Sequence, residues 1–427
     1  MHPDRESPIK LHSRQWTREE NCKRIFDLIN SEGTLTRAEL ARITALSPST
    51  VSSLVDDLLR AKLIEEAGLA RMASGAGRRP VMLHVNPAGR QLPVFSISRW
   101  GVNFKLFDLG YNVLEECFCP CPCERPSPDG SRLSLDEDDG SGAAYSRTIV
   151  DMLSRSSRLD AARVASVLIS YPGIYLEQDR RFILTSVQTS FSRDVIDALE
   201  RRLGLPIYMG NSSMSYAYAE KKHRDRHASG IDDLIYINVC DGLGAGIILN
   251  GEMLMRSGRI AGEVGHITVE IGGRPCPCGN AGCLERYVNL NAIVEAVQSA
   301  VMLDRSGAHS DHIRALLENP TLELIGRAYD DGVESVRGAL DDVAEKLFAG
   351  IYSMVNVTGI QSVVIGGGVE RIGDCFLRKL RSFMEGRRGQ MWMREMSIMY
   401  PQTGALADCV GLAQYFMDLE FNIAAGQ

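Results

Sequence analysis

Residues 262–285 read Gly262-Glu263-Val264-Gly265-His266, nine further residues, then Cys276-Pro277-Cys278-Gly279-Asn280-Ala281-Gly282-Cys283-Leu284-Glu285. One imidazole and three thiols this close in sequence restrict the local fold sharply, because a divalent ion that favours four soft or borderline donors in a tetrahedron draws all of them to one centre. Gly279 and Gly282, with Asn280 between them, let the chain fold back on itself. His266, Cys276, Cys278 and Cys283 are therefore expected to bind Zn²⁺. The competing possibility, ordinary buried thiols or a disulfide, suits a reducing compartment poorly. Glu263 and Glu285 flank the loop, and carboxylates compete weakly with thiolates for the metal, so both are free to face a polar ligand. The metal would then act as the scaffold of a binding site.

At 427 residues the chain exceeds one ordinary core and implies two to three domains. Its 44% hydrophobic and 24% charged residues fit a soluble globular protein. No apolar run is long enough to span a bilayer, and the start at His2-Pro3-Asp4-Arg5-Glu6 lacks the order of a secretory signal, so a cytoplasmic protein without membrane association is expected. Eleven cysteines, three of them in the metal loop, do not make a disulfide framework. Cys117, Cys119, Cys121 and Cys123 alternate with Phe118, Pro120 and Pro122; in an extended segment all four thiols share one face, where an incidental role competes with metal binding or oxidation sensing. Charge is uneven. Residues 1–90 hold 14 Lys and Arg against 11 Asp and Glu, whereas the rest hold 33 against 43. A basic head on an acidic body hints at a polyanionic partner for the head.

That head, residues 1–90, has the spacing of a DNA-reading domain. Cys22, Ile25, Phe26 and Ile29 recur at helical intervals and Gly33 stops the run. Thr36 and Glu39 form a capping box for a short helix, and Ser47 caps a second that has Pro48 at its first position. Val51, Leu54, Val55, Leu58 and Leu59 give this helix one apolar stripe. Ser49, Thr50, Ser52 and Ser53 are left outward near its N-terminus, with no acid before Asp56 to repel phosphates. This is helix–turn–helix spacing. Residues 63–66 and 81–85 read as two strands of a wing, whose tip places Arg78 and Arg79 where a minor groove or phosphates could receive them. The expected DNA contacts are Ser47, Ser49, Thr50, Ser52, Ser53, Arg78 and Arg79.

From Leu92 onward short strands alternate with helices. Residues 94–98, 102–107 and 113–116 read as a meander, followed by a polar insert at 126–142. Further strands are expected at 164–169, 206–209, 234–239, 247–249, 362–365 and 396–399, with a long helix over 333–357. The pattern is α/β, a body of two lobes: residues 91–210, then 211–427 with the zinc loop and a subunit-pairing surface.

Several segments of this body are similar to the ROK family, named for repressors, open reading frames and kinases: Tyr171-Pro172-Gly173-Ile174, Met209-Gly210-Asn211, the run from Gly242 to Gly251, Ala261 to His266, the cysteine loop, and residues 363–369. With the winged head, the chain resembles ROK transcriptional repressors of the xylose and N-acetylglucosamine regulator type. The resemblance implies an actin-like (ribonuclease H-like) sugar-kinase fold behind an N-terminal winged helix–turn–helix. It assigns sugar contacts to Asn211, Glu263, His266 and Glu285, with His266 binding zinc through one ring nitrogen and presenting the other to the ligand. Kinases of the family need features this chain lacks. Their first phosphate loop, Asp-x-Gly-Gly-Thr, stands here as Ser98-Arg99-Trp100-Gly101-Val102; their catalytic aspartate is Ser212; and Asp241 stands in their second phosphate loop, where a threonine is usual. Without a general base alone, transfer would slow by about 10²–10⁴.

The reading that follows is a kinase-inactive regulator, most simply a repressor, that binds operator DNA as a homodimer or homotetramer and answers to a sugar or sugar derivative. A sugar kinase with an attached head, and a regulator controlled by a partner or by oxidation of the Cys117–Cys123 group, are the alternatives. Arg256 and Arg259 leave a phosphorylated sugar open as the effector.

Overall fold

A computed structural model describes residues 18–69, 80–120, 141–176, 181–184, 193–226, 231–254, 261–304, 310–386 and 395–423. The chain divides into two compact units: Met1–Arg90 together with Phe416–Gln427, and Gln91–Tyr415.

In the first unit, α1 (Arg18–Glu32), β1 (Leu35–Thr36), α2 (Arg37–Thr44) and α3 (Pro48–Arg60) precede a hairpin of β2 (Ile64–Leu69) and β3 (Val81–Val85). β3 lies between β1 and β2 in an antiparallel three-stranded sheet. The local signals act as expected. Thr36 and Glu39 cap α2 reciprocally, Ser47 accepts the Thr50 N–H at the start of α3, and Gly33 ends α1 at a φ of 81°. Ile25, Phe26 and Ile29 of α1 and Val51, Leu54, Val55 and Leu58 of α3 are buried. Arg78 and Arg79 lie outside the described residues.

The second unit holds two five-stranded sheets built on one plan. The first comes from β4 (Gln91–Ser98), β5 (Gly101–Asp108), β6 (Val113–Pro120), β7 (Val167–Tyr171) and β10 (Ile207–Asn211), in the order β10-β7-β4-β5-β6, with α4 (Ser141–Arg155), the hairpin β8 (Ile174–Leu176) and β9 (Arg181–Leu184), and α5 (Arg193–Leu203) between them in sequence. β4, β5 and β6 form an antiparallel meander, and β7 and β10 run parallel beside β4. After α6 (Ser212–Arg226) the plan recurs: β11 (Leu234–Val239), β12 (Leu243–Leu249) and β13 (Glu252–Met253) are antiparallel, and β14 (Ser362–Gly366) and β15 (Ser397–Met399) run parallel beside β11. Between β13 and β14 come α7 (Glu285–Val288), α8 (Leu290–Met302), α9 (Ser310–Glu318), α10 (Leu322–Asp330) and the long α11 (Glu334–Thr358); α12 (Asp374–Glu385) joins β14 to β15, and α13 (Ala407–Ile423) follows.

Burial explains the plan. β7 and β11 are buried at every position, as strands covered on both faces must be. Phe95, Phe104, Tyr145, Ile169 and Ile196 form the core of the first lobe, and Ile237, Val297, Leu340, Phe348 and Phe376 belong to that of the second. The glycine series in β12 serves packing. A β-carbon on Gly244 would lie 2.7 Å from Ser213 Oγ, and one on Gly246 would lie 2.5 Å from both Ala217 Cβ and the Ser213 carbonyl, so bare backbone lets α6 sit directly on this strand. β6 continues to Pro120, beyond the expected end at Glu116, because Cys117 and Cys119 pair with Phe104 and Val102 of β5.

Among the described residues no helix is long and apolar enough to cross a membrane.

Candidate metal centre, ligand cleft and nucleic-acid interface

The cysteine loop is laid against β12 by tight backbone contacts. Gly262, at a φ of 84°, abuts the Ala245 carbonyl so closely that a β-carbon would come within 2.0 Å, and Gly265 meets the Leu243 carbonyl in the same way at 2.4 Å. Cys276 N–H donates to the Asn280 carbonyl, closing the turn that brings the thiols together. As a result His266, Cys276, Cys278 and Cys283 offer ligand atoms that all lie within 4.8 Å of one another. Cys276 Sγ is 3.7 Å from His266 Nδ1, and Cys278 Sγ is 3.7 Å from Cys283 Sγ. Zinc–sulfur bonds of about 2.3 Å give a tetrahedron with edges of roughly 3.8 Å, so this donor set could hold such an ion. Burial raises the Cys276 and Cys283 thiols above their ordinary range; burial also opposes ionisation of Cys278, but the Asn280 N–H and the neighbouring thiols hold Cys278 below it.

His266 joins this cluster to a cleft. Its Nδ1 faces Cys276, and its Nε2 lies 3.9 Å from Glu263 Oε2. The cleft is lined by Pro172 and Gly173 after β7, Asn211 at the end of β10, Ser212 and Ser213 opening α6, Asn238, Cys240, Gly242, Leu243 and Gly244 around the β11–β12 turn, and Glu263, His266 and Glu285. All four expected ligand residues, which span 74 positions from Asn211 to Glu285, are thus brought to one place. Asn211 has part of its capacity engaged, since its Nδ2 donates to the Gly173 carbonyl at 2.7 Å and its Oδ1 accepts the Met214 N–H at 3.1 Å. Buried Glu285 accepts the Leu243 N–H at 3.2 Å. Burial, and then the charge of Glu285, push Glu263 up to about 7. Two carboxylates, hydroxyls and amides in one cleft suit a ligand with several hydroxyl groups.

Sequence reasoning did not single out Ser213, Asn238 or Cys240 as cleft residues. Nothing in their spacing marks them; Asn238 lies near the end of β11 and Cys240 just beyond it, and the start of α6 brings Ser213 beside them, its Oγ 3.4 Å from Asn238 Nδ2. The charge of Asp241 is also less bare than its position in the sequence suggested, because Arg99 Nη1 donates to Asp241 Oδ1 at 3.2 Å.

In the first unit Ser47, Ser49 and Thr50 form a hydroxyl cluster at the start of α3, with Ser47 Oγ 2.9 Å from Ser49 Oγ and 2.7 Å from Thr50 Oγ1. Ser49, Thr50 and Ser53 are exposed and Ser52 half-buried. The outward acids of α3 are neutralised by neighbours: Arg18 of α1 pairs with Asp57 and donates to Ser53 Oγ at 2.8 Å, and Arg37 of α2 pairs with Asp56 at 2.8 Å. Arg18 and Arg37 were not among the residues expected at this face.

The Cys117 thiol is raised by burial and by Glu115, which favours the unreactive form; Cys121 and Cys123 lie outside the described residues, as do Arg256 and Arg259.

A winged, helix–turn–helix head and a body of two like sheets around a polar cleft define a DNA-binding module attached to a sugar-kinase-like fold. The ROK family model matches residues 143–418, more than half of the chain, and a winged helix–turn–helix DNA-binding model matches residues 18–65; the chain belongs to the ROK family. It is 28% identical over 358 residues to the xylose repressor of Caldicellulosiruptor bescii, covering 83% of this chain and 84% of that protein. It is 26% identical over 363 residues to the DNA-binding transcriptional dual regulator NagC of Escherichia coli K12, covering 85% and 84%. Among solved structures, a ROK family transcriptional regulator described as a homolog of the E. coli MLC protein superposes with a TM-score of 0.74 at 23% identity, over 95% of this chain and 97% of that one. A ROK family glucokinase from Streptomyces griseus, in complex with glucose and AMPPNP, superposes with a TM-score of 0.60 at 23% identity, over 76% and 98%. At such identity these two likenesses speak for the fold alone.

Proposed function

We propose that the protein is a carbohydrate-responsive transcriptional regulator, most simply a repressor, that holds operator DNA through its winged head and has no sugar-kinase activity. The observation that carries the reading is the position of His266, one ring nitrogen among the cysteines and the other beside Glu263 in the cleft. Zn²⁺ is the ion this donor set favours, and its role would be to fix the imidazole and so the shape of a sugar site made by Asn211, Glu263, His266 and Glu285. The names of the repressor relatives support DNA and a sugar as partners.

Absence of phosphotransfer is supported by the groups that stand where the family's kinases carry their base and phosphate loop. Ser212 cannot take a proton near neutral pH without a base beside it, and the amide of Asn211 is no base. Exposed Trp100 and paired Arg99 occupy the β4–β5 turn, where a phosphate would need bare backbone N–H groups. On the DNA, Ser47, Ser49, Thr50, Ser52 and Ser53 would meet phosphates and base edges, with Arg78 and Arg79 in the wing. Paired half-sites require the heads of a homodimer or homotetramer to be held at a fixed separation, and a sugar releases DNA only by binding better to the arrangement that breaks that match.

The test is retention of genomic fragments by the purified protein, sequenced with and without a panel of pentoses, hexoses and amino sugars. A defined set of fragments lost in the presence of one sugar is expected. ADP release at ordinary kinase rates on any of those sugars would reject the reading in favour of a kinase with an attached head.

A further inference from the structure

We infer that Arg99 and Asp241 are a positioning pair that ties the two walls of the cleft together, so that affinity for a neutral, hydroxylated ligand carries an ion-pair contribution. The inference rests on the reading of the cleft as a carbohydrate site.

Arg99 lies in the turn between β4 and β5, and Asp241 in the turn between β11 and β12; β4 and β11 are the central strands of the two sheets. The bond between Nη1 and Oδ1, 3.2 Å long, therefore links one lobe to the other. Neither partner is loosely solvated, with side chains 30% and 20% exposed. The Arg99 guanidinium carbon sits 4.7 Å from the centre of the Trp100 ring, and this stacking limits the orientations it can take. Burial raises the Asp241 carboxyl while Arg99 opposes that rise, as expected for a desolvated acid whose ionised form depends on its partner.

Each partner is close to a wall. Asp241 is followed by Gly242 and Leu243, which line the cleft, and the Leu243 N–H is held by Glu285. On the other side Ser96 of β4 is in register with Ser170 of β7, and β7 leads into Pro172 and Gly173, the latter bound by Asn211. A ligand gripped by Asn211 on one wall and by Glu263 and Glu285 on the other requires one separation between them. A bond that sets this separation before the ligand arrives reduces the ordering that binding must perform. A partly exposed ion pair is weakened by salt, and so the grip on an uncharged sugar becomes salt-sensitive, which direct hydrogen bonding to hydroxyls alone would not make it.

The test uses the full-length, zinc-loaded protein with Arg99→Gln, Asp241→Asn, the two together, and the exchanged pair Arg99→Asp with Asp241→Arg. Spin labels carried by ketone-bearing residues at Val113 of β6 and Val357 of α11, both exposed, report the distance between lobes without any ligand. Calorimetric titration with D-xylose, D-glucose and N-acetyl-D-glucosamine at low and high salt reports the grip. Each single variant should broaden the label-distance distribution, weaken the bound sugar by about two- to fivefold, and abolish its salt sensitivity. The double variant should be no weaker than either single one, and the exchanged pair should restore both readouts. Unchanged label distances in the single variants, or affinity losses that multiply in the double variant, would overturn the pair. If no sugar binds the unaltered protein the carbohydrate reading fails, while the label distances still decide whether the pair holds the lobes.

Discussion

Glu263 and Glu285 are alike in sequence but placed for different work. Glu285 is buried and holds the Leu243 N–H, so it shapes the wall of the cleft as well as facing into it. Glu263, held at about 7 by burial and by its neighbour, is the more available group. Glu263→Gln should leave thermal stability nearly unchanged and weaken the effector sugar by about tenfold, the loss of one charge-assisted hydrogen bond. Glu285→Gln should lower both, with unfolding easier by about 1–2 kcal/mol. Calorimetric titration beside thermal unfolding separates the two; equal stability losses would contradict the division of roles. The place of both glutamates at the cleft was legible because they flank a loop whose histidine and cysteines are close in sequence. Ser213, Asn238 and Arg99 were not, because contacts made across sheets leave no local period.

At the scale of elements, the reading succeeded where a helix or strand announces itself through its own ends. The Thr36–Glu39 capping box, Ser47 before Pro48, and the apolar stripe of α3 are signals contained within a few residues, and each is realised. Ser47→Ala should destabilise α3 by about 1 kcal/mol and weaken operator binding through fraying of the turn that carries Ser49 and Thr50; circular dichroism melting and a DNA titration check it. The helix–sheet contact of α6 on β12 was invisible, since glycines at 244 and 246 resemble any glycine turn until the helix against them is seen. The metal loop is the other local element. Removing its ion with a chelator should lower the melting temperature and abolish sugar-dependent DNA release, both restored by Zn²⁺, because the bonds that would tie His266, Cys276, Cys278 and Cys283 to one centre go with the ion. Intact sugar control after chelation would separate the cluster from the cleft.

At the scale of the whole molecule, the chain does not divide at one point in sequence. Phe416–Gln427 belong to the same compact unit as residues 1–90. Within that unit the Phe421 ring lies 5.4 Å from that of Phe26, Met417 is buried, Glu420 pairs with Arg90, and Asp418 pairs with Lys23 at 3.0 Å. No pattern in residues 416–423 points to α1, since a contact between opposite ends of a chain has no sequence period. Truncation after Tyr415 should therefore speed hydrogen exchange in α1 and weaken operator binding, although every helix–turn–helix residue is retained.

Asp418 adds a pH dependence to this unit. Burial, and then the charge of Asp27, hold its carboxyl at about 7 despite Lys23. An acid whose folded-state value lies above its unfolded value of about 3.9 favours folding most where both states are protonated, and that advantage is lost as pH rises from about 4 through 7. Asp418→Asn removes the titration. Relative to the unaltered protein, the variant should therefore protect the α1 amides increasingly well as pH rises from 5 to 8, with the difference levelling off above the folded-state value. Hydrogen exchange over residues 18–32 at several pH values measures this directly; parallel curves for the two proteins would mean that Lys23 keeps Asp418 ionised throughout.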